Sequence, residues 1–281
     1  VRTAEDKNRS AALPTRKSGG AVRPALTPPK RGPVQFAVPE SGRSPAPLTL
    51  RSARFYRADA IPQNARDYFD IIYLPLSQYT KEANGVLLPP VIPESQTERV
   101  RRRLAAARQA GAAHVLVSNL GQLPLCRAFD FQIHIDYRLN VFNSPAALYF
   151  SQFGDVLLSP ELTLPQLRDI RGSKAAVVYG RLPLMTIERP MEEKVLRDRR
   201  GVRFPLIKEG GRTLLLNSVP LYMADRQADL RAAGLTNQHF IFTTESRRQA
   251  AQIIEQYKAG SPPAPGVAVT RIKTKSQGKA K

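Results

Sequence analysis

His134, Asp136, Arg138 and Asn140 recur at a spacing of two in the stretch Ile133-His134-Ile135-Asp136-Tyr137-Arg138-Leu139-Asn140. On an extended strand that spacing points His134 and Asp136 the same way, with Arg138 and Asn140 following at the strand's end. Two further segments bring polar groups together in the same way: Ser159 with Glu161, and Tyr179 with Arg181, followed by Glu188 and Arg189. Carboxylates beside guanidinium groups can position an acidic or amide substrate and keep a general base ionised. Glu161, Asp136, Arg181 and His134 are therefore the candidate catalytic residues, and Arg138, Asn140, Tyr179, Glu188 and Arg189 the candidate substrate-binding residues. The same residue types also build buried ion-pair networks that orient loops, so both readings stand on the sequence.

Other hydrolytic chemistries find little to work with. The chain has three histidines, and His114 and His239 stand at the starts of apolar runs, where a structural role is expected. No Gly-x-Ser-x-Gly elbow, His-Glu-x-x-His helix or Cys–His pair is present. Asp136, Glu161 and Glu188 offer oxygen ligands, but their spacing carries no metal signature, and no metal site is assigned.

Eight short apolar runs alternate with helical patterns: Ala53 to Arg57, Ile71 to Leu76, Val86 to Val91, His114 to Asn119, Gln132 to Asp136, Asp155 to Ser159, Ala175 to Tyr179 and His239 to Thr244. Alternation of this kind is the pattern of a parallel sheet buried on both faces. Eight strands without a Gly-rich dinucleotide fingerprint predict an α/β fold of the TIM type, a (β/α) eight-stranded barrel. In such a barrel the reacting groups project from the C-terminal ends of strands, where the polar clusters above fall. Val100, Leu104, Ala107 and Gly111 form an apolar stripe, and the arginines around them are read as a wet helix face. Ser144 with Pro145, and Thr163 with Pro165, read as helix starts. Ala250, Ile253, Ile254 and Tyr257 share one face of a last helix. Between the seventh and eighth strands, Val202 to Lys208 and Arg212 to Asn217 flank Glu209-Gly210-Gly211, which predicts a β-hairpin insertion.

The 281 residues carry a formal charge of +20 and are 42% hydrophobic, enough for a sizeable core. Residues 1–47 hold nine Lys or Arg against three acids, with eight prolines and no apolar periodicity, and are expected to be a disordered basic leader or linker. The barrel is expected over 48–258 and a disordered basic tail over 259–281. The basic balance admits RNA as a partner beside a peptide or protein substrate. Salt would separate the two, since affinity for phosphates must fall as salt rises. No apolar run approaches the roughly 20 residues needed to cross a bilayer, so no membrane partner is expected. The lone Cys126 cannot form an internal disulfide, and a reducing cytoplasm is the expected setting.

An ordered series of segments then carries a resemblance. The stretch from Ile133 to Ser144 is followed by Leu158-Ser159-Pro160-Glu161-Leu162-Thr163-Leu164 and by Tyr179-Gly180-Arg181-Leu182-Pro183-Leu184-Met185. Glu188-Arg189, Asp198-Arg199, Phe204-Pro205, Asn217-Ser218-Val219-Pro220-Leu221-Tyr222 and Phe242-Thr243-Thr244-Glu245-Ser246 come next. Together they resemble the collagenase-like bacterial peptidase family (peptidase family U, number thirty-two), in the C-terminal region of its long members. The resemblance covers roughly residues 48–258. It implies a barrel fold and a peptidase activity, with RNA hydroxylation or a non-catalytic barrel joined to an upstream one as alternatives. Family members often hold an iron–sulfur cluster on four cysteines. This chain has Pro183 and Pro190 where they carry cysteine, so no cluster and no other cofactor are expected.

Overall fold

The structure, a computed structural model, describes residues 50–274; the expected leader over 1–47 and the last residues of the expected tail lie outside it. The chain runs β1 (Arg51–Phe55), β2 (Ile71–Pro75), β3 (Gly85–Leu87), α1 (Thr97–Gln109), β4 (His114–Val117), α2 (Gln122–Arg127), β5 (Gln132–Ile135), α3 (Ser144–Ser151) and α4 (Leu164–Asp169). It continues with β6 (Ala175–Gly180), β7 (Pro183–Ile187), β8 (Val195–Arg197), β9 (Arg203–Glu209), β10 (Arg212–Leu216), β11 (Leu221–Tyr222), α5 (Gln227–Ala232), β12 (Asn237–Phe242) and α6 (Arg247–Ala259).

One sheet has eight strands in the order β11-β6-β12-β1-β2-β3-β4-β5, parallel throughout except for β11. It is strongly curled. In a flat sheet β1 and β5 would stand about 19 Å apart, at about 4.8 Å per step. Arg54 on β1 nevertheless bonds Asp136, one residue past β5, at 2.8 Å. Residues 155–158 run between the two flanks of the curl. The amides of Ile135 and Leu157 bond the carbonyls of Asp155 and Ile135, and those of Leu158 and Ala175 bond the carbonyls of Ala175 and Val156, all at 2.8–2.9 Å. Parallel bridges Ile135↔Val156 and Leu157↔Ala175 thus connect β5 to β6.

Alternation along each strand sorts side chains between two faces. Ala53, Phe55, Ile72 and Leu74 face the helices and pack with Leu104 of α1 and Ile254 and Tyr257 of α6. Ile71, Tyr73, Leu87, Leu116, Leu157 and Ala175 make a smaller cluster on the opposite, inner face. Ser52 and Arg54 share that inner face by the same alternation, and both are buried.

Several local expectations are corrected. The cap of α3 is Asn143, whose side chain accepts from the Ala146 amide, and Ser144 instead accepts from the Arg171 amide. The insertion after β6 is larger than a hairpin. It is a four-stranded antiparallel sheet, β7-β10-β9-β8, with the β9–β10 turn made by Gly210 and Gly211 at φ +58° and +85°. Positive φ at both central positions is what a tight hairpin turn of matching twist demands. The expected tail does not begin at 259. Thr270 bridges Leu221 in parallel, Ile272 is buried, and Arg271 pairs with Asp225, so residues up to 274 lie along the body. Among the described residues no helix is long and apolar enough to cross a membrane.

Candidate active site

Arg54 stands at the centre of the inner face, fully buried. Its Nη2 donates to Asp136 Oδ1 at 2.8 Å, its Nε donates to His239 Nε2 at 3.1 Å, and its guanidinium lies 5.0 Å from the Tyr137 ring centre. Burial works against the charge, but Asp136, with Tyr137 and Tyr56, outweighs it and raises the guanidinium further above its ordinary value. Because Arg54 must donate, His239 Nε2 must accept, and the His239 proton sits on Nδ1. That nitrogen therefore donates to Ser52 Oγ, 2.7 Å away. Ser52 and His239 consequently do not form a nucleophile–base pair, although their distance alone would suggest one.

Beyond β5 the chain makes a single helical turn, Tyr137–Leu139, closed by Asn140 in the left-handed region at φ +50°. The turn sends Arg138 inward, where Nη2 donates to Tyr56 Oη and to Glu209 Oε2, each at 3.3 Å. Glu209 arrives from the tip of the β9–β10 hairpin, with only 10% of its side chain exposed. Burial raises the Tyr56 phenol well above its usual value, against the opposing pull of Arg138. On the β6 and β12 side, Tyr179 Oη donates to Glu245 Oε1 at 3.1 Å, while Glu245 Oε2 accepts from the Thr243 and Thr244 amides. Arg181 Nη1 donates to the carbonyls of Asn217 and Ser218, which pins the far end of the insertion to the end of β6.

Asp136 and Arg138 thus stand at one rim with separate partners, Arg54 for the first and Tyr56 and Glu209 for the second, and Tyr179 and Arg181 stand at the end of β6. The other candidates are not drawn in. Glu161 is exposed, and no hydrogen bond or ion pair among the described residues joins it or Arg181 to Asp136. Glu188 is fully engaged on the surface with Arg212, through two bonds of 2.8 Å, and Arg189 and Asn140 are exposed. His134 bonds His114 at 3.1 Å and lies 3.6 Å from Asp155, at the start of the 155–158 span. Arg54, Tyr56, Glu209 and Glu245 were not singled out from sequence. Arg54 had a signal: a charge alternating with Ala53 and Phe55 in a buried run requires a counter-charge on the same face, and Asp136 is that group. Among the described residues no set of three or more His, Cys, Asp or Glu side chains is grouped to hold a metal ion. Cys126 is buried, which pushes its thiol up to about 12.

The histidines give the fold an acid limit. Burial, then the neighbouring His134, push His114 down to about 4 from an ordinary 6.5. Burial, then Arg54 and His134, likewise push His239 well below its ordinary value. Both bind protons more tightly when unfolded, so their contribution is fully present above about 6.5 and is lost as pH falls towards about 4 and beyond. The urea midpoint is expected to be lower at pH 5 than at pH 7, and His114→Gln should flatten part of that slope. Equal midpoints at the two pH values would remove the argument.

No protein-family model matches the chain. Over 82 residues, 29% of the chain, it is 37% identical to a protein of Methanocaldococcus jannaschii named as an uncharacterized protease, and the match spans 20% of that protein. Over this stretch the chain is similar to a protease-named protein, of whose length it covers a fifth. A crystal structure of the spore cortex-lytic enzyme SleL of Bacillus megaterium aligns with 80% of this chain and 76% of its own, at 10% identity and a TM-score of 0.35. At that score the likeness carries no argument.

Proposed function

We propose that the chain is a protease of the collagenase-like bacterial peptidase family, acting on peptide or protein substrates in a reducing cytoplasm. The observation that carries the reading is the 37% identity to a protease-named protein. The curled parallel sheet supports it. In the proposed fold the sheet, continued through residues 155–158, is a TIM-type barrel with its reacting groups at the C-terminal ends of β1, β5 and β6. Asp136, buried on Arg54, is the proposed positioning group that holds the turn bearing Arg138 at that rim. Arg138 at the end of β5 orients the substrate, and Arg181 stands at the end of β6.

The test is cleavage of gelatin and of a quenched fluorescent peptide by the purified chain. Asp136→Asn is made together with Arg54→Met, which removes the buried charge that would otherwise lose its partner. This folded double variant is expected to lose about 100-fold in turnover, the scale of a misplaced substrate-binding group. Undiminished cleavage by the double variant would take Asp136 out of that role. No cleavage by the parent chain on either substrate would sink the reading itself.

A further inference from the structure

Arg138 is buried to 18% side-chain exposure, yet its pairing is loose. Both its hydrogen bonds within the described residues start from Nη2, and both are 3.3 Å long. A guanidinium presents five donors in a fork, and a well-seated carboxylate takes two of them at about 2.7–2.9 Å. Glu188 on Arg212 shows such a pairing in this same chain, at 2.8 Å twice. Glu209 therefore occupies the carboxylate position of Arg138 without filling it.

The surroundings carry a second sign of a ligand. Tyr137 Oη, Ser118 Oγ, Arg181 Nε and Thr243 Oγ1 are buried and have no hydrogen-bond partner among the described residues. They follow the C-terminal ends of β5, β4, β6 and β12 by one or two residues, all on the rim where Arg138 sits. Orphaned buried polar atoms cost about 1–3 kcal/mol each, and a peptide's amides and carboxylate are groups that would satisfy them. The hairpin that delivers Glu209 ends in the Gly210–Gly211 turn, and its second sheet has no strand in common with the curled one. Glu209 thus reaches Arg138 as a tip contact rather than through a shared ladder.

We propose that Arg138 is the binding group for a peptide carboxylate, and that Glu209 is its built-in occupant, which an incoming carboxylate displaces. The proposal rests on the rim being the ligand site of the protease reading, and it adds the substrate class: peptides bearing a carboxylate at this position. Glu209 also becomes an internal competitor, so the apparent affinity of the site is set by the fraction of molecules in which Arg138 is free.

Binding, not cleavage, tests it. Three dansyl-labelled glycine-rich hexapeptides serve as probes on the full chain: one with a free C-terminal carboxylate, one amidated, and one amidated with a central glutamate. Glu209→Gln should tighten a carboxylate probe by about tenfold while leaving the neutral amide unchanged. Glu209→Asp, one methylene shorter, should act in the same direction and stands in should Glu209→Gln not fold. Whichever carboxylate probe gains identifies the source as a chain terminus or an acidic side chain. Arg138→Gln in the Glu209→Gln background should erase the difference between probes. An equal gain for the neutral amide, or no gain in either Glu209 variant, overturns the proposal. Carboxylate-selective binding without cleavage would sink the protease reading alone, and cleavage without selective gain would sink this one alone.

Discussion

Asp136→Ala is expected to lower the free energy of unfolding by about 3–5 kcal/mol, a large share of what a domain of this size holds. The reason is the residue it abandons. Arg54 and Asp136 expose 1% and 2% of their side chains, and removing the carboxylate leaves a guanidinium that neither water nor another acid can reach. His239 cannot help, because Arg54 already donates to it and its own charged form is disfavoured by burial and by Arg54. Replacing the pair by Met at 54 and Leu at 136 removes both charges, and most of the loss should return, since well-packed apolar residues often match a buried ion pair. Urea unfolding of the three proteins decides the matter. A cost under about 1 kcal/mol for Asp136→Ala would mean that the pair is solvated rather than buried.

Gly180→Ala should be as damaging for a steric reason. Gly180 ends β6 at φ +122°, and a Cβ there would lie 2.1 Å from the Ile241 carbonyl oxygen and 2.7 Å from Ile241 Cβ. Both belong to β12, paired directly with β6, so no flexible side chain can yield and the two strands must part. Gly201→Ala is the control: φ is +80° there with nothing within 4 Å of the new Cβ, leaving only the backbone penalty of about 1–2 kcal/mol. Gly180→Ala is expected to exceed that by several kcal/mol or to accumulate as insoluble protein. Equal unfolding midpoints for the two variants would show that β6 and β12 do not approach as closely as described.

The contrast between these sites shows where the sequence was readable. Short apolar runs such as Ile71 to Leu76 and His114 to Asn119 lie on β2 and β4, because strands covered on both faces leave uninterrupted hydrophobic segments. The stripe Val100, Leu104 and Ala107 is buried on α1 for the equivalent helical reason. β7 left no such trace: Leu184, Met185 and Thr186 are exposed, so its pairing with β10 is held by backbone hydrogen bonds that impose little on composition. The segment to Thr274 escaped for another cause. Pro262, Pro263 and Pro265 interrupt its start, and its few anchoring contacts, Thr270 and Ile272 among them, have no period to detect. At the rim, Asp136 and Arg138 were legible from spacing alone. Glu209 was not, because its role depends on where a remote hairpin tip lands, which no local pattern encodes.

The 155–158 span has one more implication. Elsewhere, parallel neighbours in the curled sheet are zipped along ladders of three to five aligned residues, but between β5 and β6 continuity rests on two hydrogen bonds to each side of this short piece. Its first residue, Asp155, also holds Ser173 and sits beside His134. The molecule thus has a seam, and thermal gaping should start where the fewest stitches must be undone.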